Sequence, residues 1–231
     1  GRSLFAGDAY ANASFDEIRI WNVTKTPAQL QANMRRSLVG TESGLASFDG
    51  TNVVTFGLNE GMAQGGVRSL FLDKDKRLWC GHLGGGLSIS HGRRFRALTL
   101  GDQPVTADVT AISQSPDGAM WIGTFGMGVL RVKELPEEGP VTAERFMDGK
   151  GPGERITSIV RLRSGDMVFL DLGAGLRQWT SAKGAFEPFA VQALADQQRV
   201  TSFFEDRSGG LWVGTQDHGA VRWSGGKLTS Y

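Results

Sequence analysis

The chain has 231 residues, enough to bury a sizeable core, and its 25 Lys and Arg against 24 Asp and Glu leave a net charge of +1, which argues against nucleic acid or an anionic membrane as a partner. No apolar run approaches the roughly 18 residues of a membrane-crossing helix, and the one cysteine, Cys80, excludes an intrachain disulfide and a multi-cysteine metal site. Glycine is abundant, at 33 residues, as suits a chain with many tight turns.

Gly1 carries no initiating methionine and opens no signal-peptide pattern, so the sequence reads as a fragment whose lack of a targeting segment says nothing of location. Residues 1–36 stand apart from the rest of the chain. SLFAG at 3–7 and FDEIRIW at 15–21 read as strands. TPAQLQANMRR at 26–36 reads as a short helix, with Thr26 as N-cap, Pro27 in the first helical position and Gln29 completing a capping box. Arg35 and Arg36 fall in its last turn, where they suit the helix dipole. FDEIRIWN followed by that helix resembles the C-terminal end of a laminin-G-like, concanavalin-type β-sandwich. The sugar- or calcium-binding loops of that family would lie upstream, so none is carried over. Asn12 and Asn22 head glycosylation sequons on paper only.

Residues 37–58 fit two readings. SLVGTESGLASFDG at 37–50 matches the closing segment of the sandwich family and also the second half of the repeat unit seen from residue 67 onward. We favour the second: Leu38 lies 41 residues before Trp79, Gly40-Thr41 copies Gly214-Thr215, and VVTF at 53–56 then supplies a fourth strand. This partial unit lacks its first strand, or takes one from the sandwich tail.

From residue 67 the chain repeats. VRSL at 67–70 leads to LWCG at 78–81, VTAI at 109–112 to MWIG at 120–123, ITSI at 156–159 to MVFL at 167–170, and VTSF at 200–203 to LWVG at 211–214. The opening β-branched residue always precedes the Trp slot by 12 positions, and the units begin 42, 47 and 44 residues apart. Each unit reads as four short strands, which we letter A to D. Pro116-Asp117-Gly118, Ser164-Gly165-Asp166 and Ser208-Gly209-Gly210 supply hairpin turns between strands A and B. Strands A and B are apolar at most positions instead of alternating, as in a sheet covered on both faces. Self-similarity at this period, made only of short strands, marks a β-propeller. Trp79, Trp121 and Trp212 are then packing between blades, and Cys80 a small buried hydrophobe.

V-x-S-I, a D-x-x-G turn, L-W-x-G-T and G-G-L resemble the two-component regulator propeller repeat. DRSGGLWVGT at 206–215 and PDGAMWIGT at 116–124 are close matches, while the third unit departs, with Val168 for Trp and Leu170-Asp171 for Gly-Thr. The expected fold is all-β: propeller blades in four full four-stranded repeats plus a partial one, an arc of a larger, seven-bladed ring, with an N-terminal β-sandwich tail and one short helix. The domains expected are the tail at 1–36 and propeller repeats at 37–231, divided at 37–66, 67–108, 109–155, 156–199 and 200–231.

Propeller ligands commonly sit at the end of the ring that carries the bends between strands B and C and the links between blades. Ligand-binding candidates there are His82, Phe125, Asp171, Asp217 and His218. Asp171 and Asp217 serve equally as turn caps through their own backbone. His82 and His218 occupy different register positions, so no repeated histidine ring forms, and no metal or cofactor is expected. Asp73-Lys74-Asp75 lacks the glycine and distal glutamate of a calcium loop and reads as a charged hairpin turn. Gly84-Gly85-Gly86 opens a strand instead of a helix, which removes a phosphate cradle. No Ser/His/Asp signature or H-E-x-x-H is present. The resemblance implies a non-enzymatic periplasmic or extracellular sensor region of a hybrid two-component-like protein. It would recognise a carbohydrate-derived or other small ligand, with further blades and a downstream output domain as partners. The alternative is a secreted carbohydrate-binding or adhesion protein with lectin-like and propeller modules.

Overall fold

A strand that ends in a tight hairpin pairs with its own successor, and a chain of such hairpins makes a meandering sheet. The computed structural model describes residues 37–48, 51–91, 94–100, 103–146, 153–173, 175–189, 200–216 and 219–231. The two strands and the helix expected within 1–36 lie outside the described residues. The first sheet has three strands, β1 (Ser37–Thr41), β2 (Gly44–Phe48) and β3 (Val53–Phe56), followed by a short 3-10 turn at Leu58–Glu60. The first full blade is β4 (Val67–Leu72), β5 (Leu78–His82), β6 (Leu87–His91) and β7 (Arg94–Ala97). A small hairpin, β8 (Thr99–Leu100) with β9 (Gln103–Pro104), leads to the second full blade. That blade is β10 (Asp108–Gln114), β11 (Met120–Phe125), β12 (Val129–Val132) and β13 (Glu144–Phe146). The third is β14 (Ile156–Arg161), β15 (Met167–Asp171), β16 (Gly175–Thr180) and β17 (Ala185–Pro188). The fourth is β18 (Val200–Glu205), β19 (Leu211–Thr215), β20 (Ala220–Ser224) and β21 (Lys227–Ser230). All pair antiparallel in chain order, so strands A to D are adjacent in each full blade.

The turn between strands A and B is the same in every full blade. In the first, the Asp73 N–H donates to the Arg77 carbonyl and the Lys76 N–H to the Asp73 carbonyl, each at 3.0 Å. Ser115, Leu162 and Asp206 make the corresponding pairs. This is a three-residue hairpin loop, whose last position must be left-handed. Gly118, Gly165 and Gly209 fill it with φ of 89°, 91° and 81°. The first blade uses Lys76, at φ 64°, the one non-glycine with positive φ among the described residues.

Each strand A carries a bulge just after its opening β-branched residue, between Val67 and Ser69, Val109 and Ala111, Ile156 and Ser158, and Val200 and Ser202. The residue after the bulge then faces the last glycine of L-W-x-G: Ser69 opposite Gly81, Ala111 opposite Gly123, Ser202 opposite Gly214. That glycine marks the crossing of the next blade. A Cβ on Gly123 would stand 2.5 Å from the Ile156 Cγ2, and one on Gly81 would stand 2.7 Å from the Val109 Cβ. Hydroxyls bridge the same crossing, from the Ser69 Oγ to the Val109 carbonyl at 3.0 Å and from the Thr110 Oγ1 to the Ile156 carbonyl at 2.5 Å.

The apolar cores lie between the sheets. Leu45, Met62, Val67 and Cys80 fill the seam between the three-stranded sheet and the first full blade. Trp79, Leu87 and Ile89 meet Ile112, Ile122 and Leu130 in the next. Trp121 and Phe146 meet Phe169, Trp179 and Phe186 in the third, with the Trp121 and Trp179 rings 5.0 Å apart. Val168, Leu170 and Leu176 meet Val200, Phe203 and Val213 in the fourth. Trp79 and Trp121 are fully buried and Trp212, in the last blade, is half-buried. Burial pushes the Cys80 thiol up to about 12, which keeps it protonated and unreactive.

Candidate functional site

The sequence reading places His82, Phe125 and Asp171 at the bends; the structure places each at the end of strand B. The bulge explains the difference, because it offsets strand A by one residue and lets the ladder run on to Val67 opposite His82, Val109 opposite Thr124, Ile156 opposite Asp171 and Val200 opposite Thr215. These four residues are register equivalents. Each closes the adjoining bend with a polar side chain. The Thr124 Oγ1 donates to the Gly128 carbonyl at 2.7 Å and accepts the Met127 N–H at 3.0 Å. The Thr215 Oγ1 donates to the Gly219 carbonyl at 2.9 Å. Asp171, 3% exposed, accepts the Gly173 N–H at 2.6 Å and the Arg155 N–H at 2.9 Å. His82, fully buried, sets its Nδ1 3.0 Å from the Gly65 carbonyl and its Nε2 2.8 Å from the Ser88 Oγ. A carbonyl can only accept, so Nδ1 carries the proton and the Ser88 hydroxyl donates to Nε2. Burial lowers the imidazole below its ordinary value, partly offset by the Gly65 carbonyl.

The residue after each of these is solvent-facing. Leu83 is 48% exposed, Phe125 44% and Leu172 52%, and Gln216 takes the position in the fourth blade. One belt of main-chain and carboxylate contacts carries all three apolar side chains. The Gly84 N–H donates to the Asp108 Oδ1 at 2.6 Å, and Asp108 pairs with Phe125 across the second blade. Phe125 bridges to Arg155, whose carbonyl accepts the Leu172 N–H at 3.0 Å and whose own N–H goes to Asp171. Of the sequence candidates, then, His82, Phe125 and Asp171 lie along one end of the arc, with Phe125 exposed and the other two buried at the ends of their strands. Asp217 and His218 lie outside the described residues. Leu83 and Leu172 complete the exposed trio, and the signal for them was their shared offset from the Trp slot. Among the described residues, no group of three or more His, Cys, Asp and Glu is placed to hold a metal ion. What this rim offers is apolar contact on a fixed backbone.

The opposite end is a set of structural clamps. The Trp79 indole N–H donates to the Asp73 Oδ2 at 2.9 Å, that of Trp121 to the Ser115 Oγ at 3.1 Å, and that of Trp212 to the Asp206 Oδ2 at 2.9 Å. Arginines join each clamp: Arg77 on Asp73, Arg131 on Asp117 and Arg222 on Asp206. Burial pushes the Asp73 carboxyl up, but the bonds from Trp79 and from the Arg77 backbone and side chain outweigh it and hold it below the usual range. At Asp117, burial again raises, and the Ser115 hydroxyl, the Ala119 N–H and Arg131 prevail. Asp206 is held well below the usual range by Arg222, then Ser208 and Trp212.

Two segments of the chain match a family model. Residues 103–126 and 194–217 match the two component regulator propeller. Each covers strand A, the hairpin turn and strand B, of the second and fourth full blades respectively. No curated protein sequence matches the chain. Among solved structures, it resembles the extracellular domain of a hybrid two component system from B. thetaiotaomicron, with 16% identity and a TM-score of 0.69 over 85% of this chain and 26% of that one. A second such domain from the same organism gives 19% identity and a TM-score of 0.70 over 85% of this chain and 29% of that one. Virginiamycin B lyase from Staphylococcus aureus gives 13% identity and a TM-score of 0.62 over 84% of this chain and 68% of that one. These likenesses establish the fold: four full blades and a partial one, an arc of a larger propeller. The chain spans less than a third of the two extracellular domains.

Proposed function

We propose that this chain is part of the sensing propeller of a periplasmic or extracellular receptor of the two-component type, which binds a small carbohydrate-derived molecule and catalyses no reaction on it. The observation that carries this reading is the pair of matches to the two component regulator propeller at 103–126 and 194–217. The likeness to extracellular domains of two-component systems supports it, and the lyase likeness marks the enzymatic reading it must exclude. In this reading the rim at the bends between strands B and C is the recognition surface. Phe125, with Leu83 and Leu172, supplies apolar contact to the face of a sugar ring. His82 and Asp171 hold the bends in position. Further blades of the propeller and a downstream output domain complete the receptor.

The test is calorimetric titration of the chain against a panel of mono- and oligosaccharides, with product analysis on the same mixtures. The expected result is at least one saccharide that binds and is recovered unchanged, with affinity falling at least tenfold in Phe125→Ala while the circular dichroism spectrum is kept. A saccharide consumed by the protein would overturn the non-enzymatic reading. Silence across the panel would overturn the carbohydrate reading.

A further inference from the structure

Of the four register equivalents His82, Thr124, Asp171 and Thr215, only His82 ordinarily titrates near neutral pH. Thr124 and Thr215 close their own bends, each by a bond to the glycine carbonyl four residues on. His82 instead ties its bend to the link at 62–66, which leads into strand A of the same blade. Three bonds make that tie. The Ala63 N–H donates to the Ser88 Oγ at 2.8 Å, the His82 Nδ1 donates to the Gly65 carbonyl at 3.0 Å, and the Leu83 N–H donates to the Gly66 carbonyl at 2.8 Å. Two of the three run through the pair of His82 and Ser88, whose side chains meet at 2.8 Å and are both fully buried.

The charged groups on the surrounding elements are turned to other partners. Arg68 of β4 and Asp108 of β10 stand 3.8 Å apart, and Asp108 also accepts the Gly84 N–H. Glu60 of the 3-10 turn accepts the Gly57 N–H at 2.7 Å, and Glu42, in the turn after β1, is exposed. His91 of β6 lies three residues beyond Ser88, in register with Arg94, and Cys80 of β5 is a protonated thiol. Burial is what lowers the His82 ring, and the Gly65 carbonyl is what opposes it.

With Nδ1 already carrying its proton, a second one enters at Nε2. The ring then turns from acceptor to donor toward Ser88. The Ser88 Oγ receives N–H groups from both His82 and Ala63, and its own O–H loses its acceptor inside a buried site. An imidazolium enclosed without a carboxylate is costly, and movement of the link away from the bend relieves that cost by admitting water.

We infer that the His82–Ser88 pair is a proton-operated latch: with the ring neutral it holds the 62–66 link against the first bend of the rim, and with the ring protonated it releases Ala63 and Gly65 and lets Leu83 move. The closed form takes up the proton less readily than the open one. Closure is therefore complete above the ordinary imidazole value of about 6.5 and is lost as pH falls through the lower value of the closed ring. The effect of the latch on ligand binding rests on the rim being the recognition surface; the latch itself does not.

The experiment follows the 231-residue chain by imidazole NMR and by amide hydrogen exchange, corrected for intrinsic rates, from well above to well below the ordinary imidazole value. Protection at 62–66 and 83–86 should fall about tenfold per pH unit below about 6.5 and then level off, while the threonine-closed bend at 124–128 keeps its protection. His82→Thr, and His82→Asn should the first not fold, removes the titrating group and should leave protection flat over the same range. A saccharide that binds the rim should bind more weakly at the acid end; if none binds, the carbohydrate reading fails and the exchange result still decides the latch. Unchanged protection at 62–66 and 83–86 while the ring titrates, an equal loss at 124–128, or a pH dependence kept in both variants would each overturn the inference.

Discussion

In the first, second and fourth full blades, a strand-B tryptophan gives its indole N–H to an oxygen six residues upstream, on Asp73, Ser115 or Asp206. In the third, Val168 stands in the tryptophan's place and Leu162 in the acceptor's. Donor and acceptor have gone together, and the turn between them keeps its backbone bonds, Leu162 with Asp166 and Gly165 with Leu162. The clamp is therefore not what shapes the turn. It lets a large ring with a polar edge be buried without an orphaned N–H. The third blade still has a tryptophan, Trp179, on strand C instead of strand B; no acceptor travelled with it, and its buried Nε1 has no partner. Trp179 faces back to Trp121 while Val168 faces forward to Val200 and Phe203, so the second-to-third seam is doubly aromatic and the third-to-fourth mostly aliphatic.

Removing Trp121 breaks the comparison most severely. Trp121→Ala empties the centre of a cluster with Phe146, Phe169, Trp179 and Phe186 within 6.0 Å, and should cost about 3–5 kcal/mol in urea denaturation. Val168→Ala, at the same place in the third blade, deletes fewer atoms and should cost about 1–3 kcal/mol. Equal losses would mean that the aromatic seam adds nothing beyond its volume.

Breaking a clamp should come next. Asp73, 3% exposed, accepts four bonds, from the Asp75 and Arg77 N–H groups, the Arg77 Nε and the Trp79 indole. Asp73→Ala leaves the indole and a half-buried guanidinium without it, at roughly 2–4 kcal/mol. The converse sharpens the point. Leu162→Asp alone should destabilise the third blade by about 1–3 kcal/mol, and adding Val168→Trp should recover at least 1 kcal/mol of coupling in a double-mutant cycle. A cycle that closes with no coupling would refute the pairing of donor and acceptor.

Much of this was legible in the residues. The 12-residue spacing from the β-branched residue to the Trp slot located strands A and B in all four full units, because the hairpin loop has one length and one left-handed position. The Gly40-Thr41 pair likewise marked β1 as a strand B. The site was less legible. His82 and Asp171 have the chemistry of ligand contacts, and only their register, set by a bulge that leaves no composition mark, buries them at the end of strand B. The exposed trio is visible only when Leu83, Phe125 and Leu172 are read as one position in three blades.

Acid should separate the blades again. The His82 imidazole is held below its ordinary value of about 6.5, so the unfolded chain takes up that proton first; this stability is complete above that pH and is lost as pH falls through the folded value. The Asp73, Asp117 and Asp206 carboxyls are likewise depressed, and their contribution is present above about pH 4 and lost as pH falls through their folded values. Urea midpoints measured from pH 8 to pH 3 should therefore decline in two stages. Asp73→Asn should flatten the lower stage, whereas Leu162→Asn in the third blade should leave its shape alone. A lower stage unchanged in Asp73→Asn would show that the clamps do not set it.

The smallest effect lies in the turn that all four full blades share. Gly118, Gly165 and Gly209 take its left-handed position without steric cost, whereas Lys76 holds φ 64° with a side chain that conformation disfavours by about 1 kcal/mol. Lys76→Gly relieves that strain but gives the unfolded chain more freedom, an opposing term of roughly 0.5–1 kcal/mol. The net change should be a gain of a few tenths of a kcal/mol at most, and Lys76→Asn, which tolerates the left-handed region with less unfolded-state entropy, should gain slightly more. Thermal melts of the two variants beside the parent resolve this. A loss in both would mean that Lys76 makes a compensating contact through its side chain, and that the first blade, like the third, departs from the shared pattern for a reason of its own.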